Sequence, residues 1–67
     1  MEIIVNGQRR DIKDKSTVLE LLNELQVKEK TMAVAINMEI VKKEQWEKHT
    51  IQEGDKLELL HFVGGGW

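Results

Sequence analysis

The 67-residue chain contains no cysteine. No disulfide can brace it, no thiolate can hold a structural zinc, and neither a thiol nucleophile nor a CxxC redox pair is available. A chain this short forms one small domain. Its core supplies only about 3–5 kcal/mol of net stability, so it must fold on packing alone. It also lacks any apolar run near the ~18 residues that a membrane span requires. Met1 leads directly into a strand-like segment rather than a basic region followed by an apolar one, so no signal peptide is expected and the cytoplasm is the expected location. Charge of one sign is missing as well. Ten Lys and Arg are scattered among twelve Asp and Glu, as in Arg9-Arg10-Asp11 and Lys13-Asp14-Lys15, for a formal net charge of −2. Without a basic stripe to neutralise phosphates, nucleic acid is not an expected partner, and the mixed charges read as a solvated surface.

What is present has the pattern of an α+β domain. Residues 2–5 (Glu-Ile-Ile-Val) and 8–12 are strand-compatible and are joined by Asn6-Gly7, the dipeptide that best tolerates the two positive φ angles of a tight hairpin turn. Ser16 or Thr17 then caps a helix, with Thr17-x-x-Glu20 fitting a capping box. Val18, Leu21, Leu22 and Leu25 recur at i, i+3, i+4 and i+7 and define one apolar helix face ending near Gln26. Met32 to Ile36 is a third strand, in which Met32, Val34 and Ile36 are expected on one face and the two alanines on the other. A short strand follows at Ile40-Val41. Residues 42–49 form a turn of helix with Trp46 as an aromatic anchor for the end of the core. Gln52-Glu53-Gly54-Asp55 is turn chemistry, and Lys56 to Val63 is the last strand. One helix laid across a mixed sheet is the expected architecture.

The last strand sorts unevenly. Leu57, Leu59, His61 and Val63 share the face expected to meet the core, which turns Leu60 and Phe62 outward beside the chain terminus. Large apolar groups there need cover. Two readings are open: the strand twists or bulges and buries Phe62, or Leu60 and Phe62 form a patch on which a partner docks.

No arrangement of side chains suggests catalysis. Ser16 is the only serine and stands at a helix start, where capping accounts for it. His49 and His61 lack metal-ligand spacing, and Trp46 reads as core rather than as a stacking platform. Gly64-Gly65-Gly66 is the conspicuous local feature. A phosphate-cradling loop requires a helix after it, and only Trp67 follows. As a bare pattern the three glycines could be a frayed end. Their alternative use is physical: an extended glycine segment can thread a narrow channel and present a carboxylate to another protein's active site, as a substrate rather than a catalyst.

In sequence, order and spacing the chain resembles the small ubiquitin-like sulfur carriers, and the ThiS type of thiamine biosynthesis more than the longer molybdopterin-synthase type. The residues that carry the resemblance are Val5-Asn6-Gly7, Thr17-Val18 with Leu21-Leu22 and Leu25, Ala33 to Asn37, Ile40-Val41, Trp46, Gly54-Asp55 and Phe62-Val63-Gly64-Gly65-Gly66. The resemblance implies a β-grasp fold over residues 1–63, with 64–67 as a flexible glycine-rich tail. It further implies a carrier, not an enzyme, with no cofactor of its own. The carboxylate of Gly66 would be adenylated by an ATP-dependent, ThiF-like activating enzyme and converted to a thiocarboxylate, whose sulfur a ThiG-like thiazole synthase would take up. Gly64 and Gly65 would be the thread, and Leu60 with Phe62 the docking patch.

Trp67 departs from that pattern, because the family's functional terminus is glycine. Removal by a processing protease, tolerance by the activating enzyme and departure from the carrier cycle are the three explanations. A carrier for another pathway (cysteine, homocysteine or molybdopterin) and a ubiquitin-like modifier or binding module are the competing functions at this level.

Overall fold

The computed structural model describes residues 1–61. Its elements are β1 (Glu2–Val5), β2 (Gln8–Asp11), α1 (Val18–Glu24), a 3-10 turn (Lys28–Lys30), β3 (Thr31–Ile36), β4 (Glu39–Val41), a second 3-10 turn (Lys43–Gln45) and β5 (Lys56–His61). The strands form one sheet in the order β2-β1-β5-β3-β4. β1 and β5 run parallel at its centre, and the remaining pairs are antiparallel. This is the expected mixed sheet with one main helix.

Both hairpins turn on two residues with positive φ. Asn6 and Gly7 stand at 49° and 82°, the conformation the Asn-Gly pair predicts. Asn37 and Met38 repeat it at 50° and 72°, although Met38 carries a side chain that disfavours the left-handed region. The third turn closes through Gly54 at 83°, with the Asp55 carboxylate accepting the Gln52 N–H at 2.8 Å.

Helix α1 begins as its sequence predicts, with Thr17 rather than Ser16 as the cap. The Thr17 hydroxyl accepts the Glu20 N–H and the Glu20 carboxylate accepts the Thr17 N–H, a reciprocal capping box. The two preceding free donors are satisfied from a distant part of the chain: Val18 N–H donates to the His49 carbonyl and Leu19 N–H to the Trp46 carbonyl. Ser16 instead donates its hydroxyl to the Lys13 carbonyl. The helix ends in a Schellman arrangement, with Gln26 at φ 59°, Gln26 N–H bonded to the Asn23 carbonyl and Val27 N–H to the Leu22 carbonyl.

The core lies between the helix and one face of the sheet. Val18, Leu21 and Leu22 pack with Ile3, Val5, Val34, Ile36, Leu57 and Leu59, while Ile12, Val41, Trp46 and Ile51 close the ends. Trp46 is 2% exposed and its Nε1 donates to the Val41 carbonyl at 3.1 Å, so the expected aromatic plug also satisfies a buried acceptor.

Two positions expected in the core are not buried. Met32 does not join Val34 and Ile36 in the core; it is 55% exposed, and Thr31 is buried in its place. The cause is a bulge: Thr31 pairs with His61 but Ala33 pairs with Leu60, so two steps on β3 match one on β5 and the alternation changes phase. Thr31 fits the interior because its hydroxyl donates to the Val27 carbonyl at 2.7 Å. His61 shares the face of Leu57 and Leu59 and pairs with buried Thr31, yet it is exposed. It lies four residues beyond Leu57, where β1 ceases to flank β5, and the packed region stops short of it. Val63, assigned to the same face, lies outside the described residues.

Candidate functional site

The helix covers one sheet face; among the described residues no element covers the other. Its residues follow from the pairing register. Leu60 stands beside Ala33, and Glu58 beside Ala35, which in turn faces Ile40 on β4; at the other end Ile4 is flanked by Lys56 and Arg9. Leu60 is 54% exposed and Ile40 64%. Because only the two alanines stand between them, no tall side chain separates Leu60 from Ile40, and the face forms an apolar floor with Glu58, Lys56 and Arg9 along one side. Exposed Met32 lies at the bulge end of this region, and Met38, 90% exposed, at the β3–β4 hairpin tip. Gly7, Ile4, Met38, Lys56, Leu57 and Glu58 line a shallow groove at the hairpin ends.

Of the residues singled out in the sequence, Leu60 lies on the open face as expected. Phe62, Gly64, Gly65, Gly66 and Trp67 lie outside the described residues. Met32, expected in the core, and Met38 and Ile40 are not among the site residues that the sequence suggests. Ile40 was recoverable: a two-residue turn at Asn37-Met38 pairs Ile40 with Ala35 and sends it to the face opposite Val41. Met32 was not, because a bulge has no reliable sequence signature here.

The same face offers little chemistry of its own. Among the described residues no group of three or more His, Asp or Glu side chains could hold a metal ion. His49 sits beside the helix N-terminus and His61 at the end of β5, so the fold does not combine them into a pair. No helix among the described residues is long and apolar enough to cross a membrane. A charged cluster lies away from this face, at the N-terminus. The Met1 amine donates to the Ile12 carbonyl at 2.7 Å and sits 3.3 Å from both Asp11 and Asp14. Loss of solvent works against its charge, but the hydrogen bonds and charges of Asp14 and Asp11 outweigh that effect and raise its pKa.

Among the described residues, then, the site is an apolar sheet face that includes Leu60 on β5, the strand that precedes Gly64-Gly65-Gly66 in sequence. A model of the ThiS family matches residues 3–66. The chain belongs to the ThiS family. It is 39% identical over 66 residues to the sulfur carrier protein ThiS of Escherichia coli, an alignment covering 98% of this chain and all of that one. It is 41% identical over 66 residues to a thiazole synthase of Paramagnetospirillum magneticum, of which it spans only 20%. A crystal structure of the thiamine biosynthesis protein ThiS from Geobacter metallireducens superposes with a TM-score of 0.82 at 34% identity, covering 98% of this chain and all of that one. The ThiS resemblance and the β-grasp architecture read from the sequence are therefore both borne out.

Proposed function

We propose that this ThiS-family chain is a sulfur carrier for thiazole formation in thiamine biosynthesis, with Gly66 as the sulfur-bearing residue. The observation that carries the reading is that the family match runs through Gly66, on a chain that aligns along its length with a ThiS sulfur carrier. In the first step the Gly66 carboxylate attacks the α-phosphate of ATP on a ThiF-like activating enzyme, forming an acyl adenylate and releasing pyrophosphate. A donor at the sulfide oxidation level then attacks the acyl carbon, the acyl–phosphate bond breaks, AMP leaves and the terminus becomes a thiocarboxylate, a nucleophile that a ThiG-like thiazole synthase can consume. In this reading the chain's own contribution to the chemistry is the Gly66 carboxylate. Gly64 and Gly65 carry no side chains that would obstruct a narrow channel.

Leu60 and Phe62 are the docking contacts in this reading, with Ile40 and Met32 extending the surface. Exposed apolar side chains on a flat sheet face support a protein partner, since water gains nothing from them. The thiazole synthase relative, with a ThiS-like stretch within its own chain, supports that enzyme class as the acceptor. Trp67 follows Gly66, and in this reading a C-terminal processing protease removes it before activation.

The test compares a chain ending at Gly66 with the chain ending at Trp67, each mixed with ATP, a ThiF-like enzyme and a sulfur source. The Gly66 form is expected to release pyrophosphate and to show an oxygen-to-sulfur mass change at its terminus, whereas the Trp67 form should do neither. Failure of the Gly66 form to become adenylated overturns the carrier reading. Intact mass of the protein from its own host tests processing, which fails if every molecule retains Trp67.

A further inference from the structure

Asn6 does more than turn the first hairpin. In the parallel β1–β5 ladder, Ile4 N–H donates to the Asp55 carbonyl at 3.0 Å and Asn6 N–H to the Leu57 carbonyl at 2.9 Å. The next rung of a regular ladder would run from Leu59 N–H to the Asn6 main-chain carbonyl. The chain has already turned at Asn6, whose φ is 49°, and that rung is made by the side chain instead: Leu59 N–H donates to Asn6 Oδ1 at 2.8 Å across 53 residues of sequence. Among the described residues this is the last tie on the β1 flank of β5. Beyond it, β3 alone flanks the strand, through a bulge.

We infer that Asn6 is a positioning residue for the carrier reaction: its side chain acts as an extra strand residue that holds the C-terminal end of β5, from which the sequence runs on to Gly66. The inference rests on the carrier reading above for its functional consequence, but its structural part stands on the hydrogen bond alone. Leu60 follows Leu59 directly, so the same tie also holds the exposed apolar contact in register. The chemistry asks for a residue that tolerates positive φ and carries an sp² oxygen two bonds beyond Cβ, a requirement that Asn and Asp meet and Gln or Ser does not.

The experiment compares Asn6→Gly with Asn6→Asp. Glycine keeps the left-handed turn and removes the side chain with its acceptor oxygen, so the hairpin survives; aspartate restores an acceptor at the same position. In amide hydrogen exchange, Asn6→Gly should speed Leu59 by roughly three- to tenfold relative to Leu57, the range of one net hydrogen bond, and Asn6→Asp should return it close to wild type. In pyrophosphate release from a chain ending at Gly66, Asn6→Gly should raise KM for the carrier several-fold with kcat little changed, again restored by Asn6→Asp. Uniformly faster exchange across β5, or an unchanged Leu59 rate, overturns the tie. An unchanged KM, or a raised KM that Asn6→Asp leaves raised, overturns the positioning role. If the wild-type chain ending at Gly66 is itself not adenylated, the carrier reading falls while the exchange measurement still decides the structural tie.

Discussion

Trp46 and Val41 meet inside the core, the indole Nε1 donating to the Val41 carbonyl at 3.1 Å, and the Trp46 carbonyl in turn receives the Leu19 N–H at the start of α1. One residue thus fills the end of the core, satisfies a buried strand carbonyl and holds the helix N-terminus. Trp46→Ala should cost about 3–5 kcal/mol, comparable to the whole net stability of so small a domain, and circular dichroism should find the variant largely unfolded at 25 °C. Trp46→Phe keeps most of the apolar volume but strands the carbonyl, and a loss of about 1–3 kcal/mol in urea unfolding is expected.

The capping box yields a smaller effect. Thr17→Ala removes the acceptor for Glu20 N–H, while the donors of Val18 and Leu19 keep their carbonyl partners. A loss of about 1 kcal/mol is expected, read as a fall in Tm of roughly 4–8 °C. Ser16→Ala, at the neighbouring position, should cost less, because Ser16 serves only a bond to Lys13.

Met38 invites the opposite change. It is held at φ 72° on a hairpin tip with its side chain almost wholly in solvent. Met38→Gly creates the Asn-Gly pair that this turn favours, and a gain of up to about 1 kcal/mol is expected from relief of the left-handed strain. A thermal melt no higher than wild type would contradict this.

Stability should fall in alkali for a reason that can be located. The Met1 amine has a folded-state pKa raised above its ordinary value near 8. Its contribution is fully present below the unfolded pKa and disappears as pH rises through the higher folded one. Urea midpoints should therefore drop above pH 8, and the part of that drop due to the amine should vanish in the Asp11→Asn, Asp14→Asn double variant. An identical alkaline slope in the double variant would assign the effect elsewhere.

The open sheet face can be tested separately from the fold. Leu60→Asp and Ile40→Asp place charge on positions already in water, so Tm should move little. Affinity for a ThiF-like enzyme, measured by titration calorimetry, should fall about tenfold or more if either side chain is a buried anchor of the complex. Arg9→Ala, at the edge of that face, should change affinity far less and mainly through its salt dependence.

Much of this molecule can be read from local chemistry. Asn6-Gly7 needs positive φ, Thr17-x-x-Glu20 satisfies its own backbone donors, and Val18, Leu21 and Leu22 recur at the helical period; each is a relationship within a few residues, so the sequence by itself determined the hairpin, the helix and the carrier resemblance. Other features required the assembled sheet. The bulge that turns Met32 out and Thr31 in arises where β3 must match β5. The exposure of His61 depends on where β1 stops flanking β5, and Asn6 reaches Leu59 only because two strands 53 residues apart in sequence lie side by side. Those outcomes are decided by register between distant segments. No local propensity encodes that register, because it emerges only when the buried faces of all five strands are satisfied together.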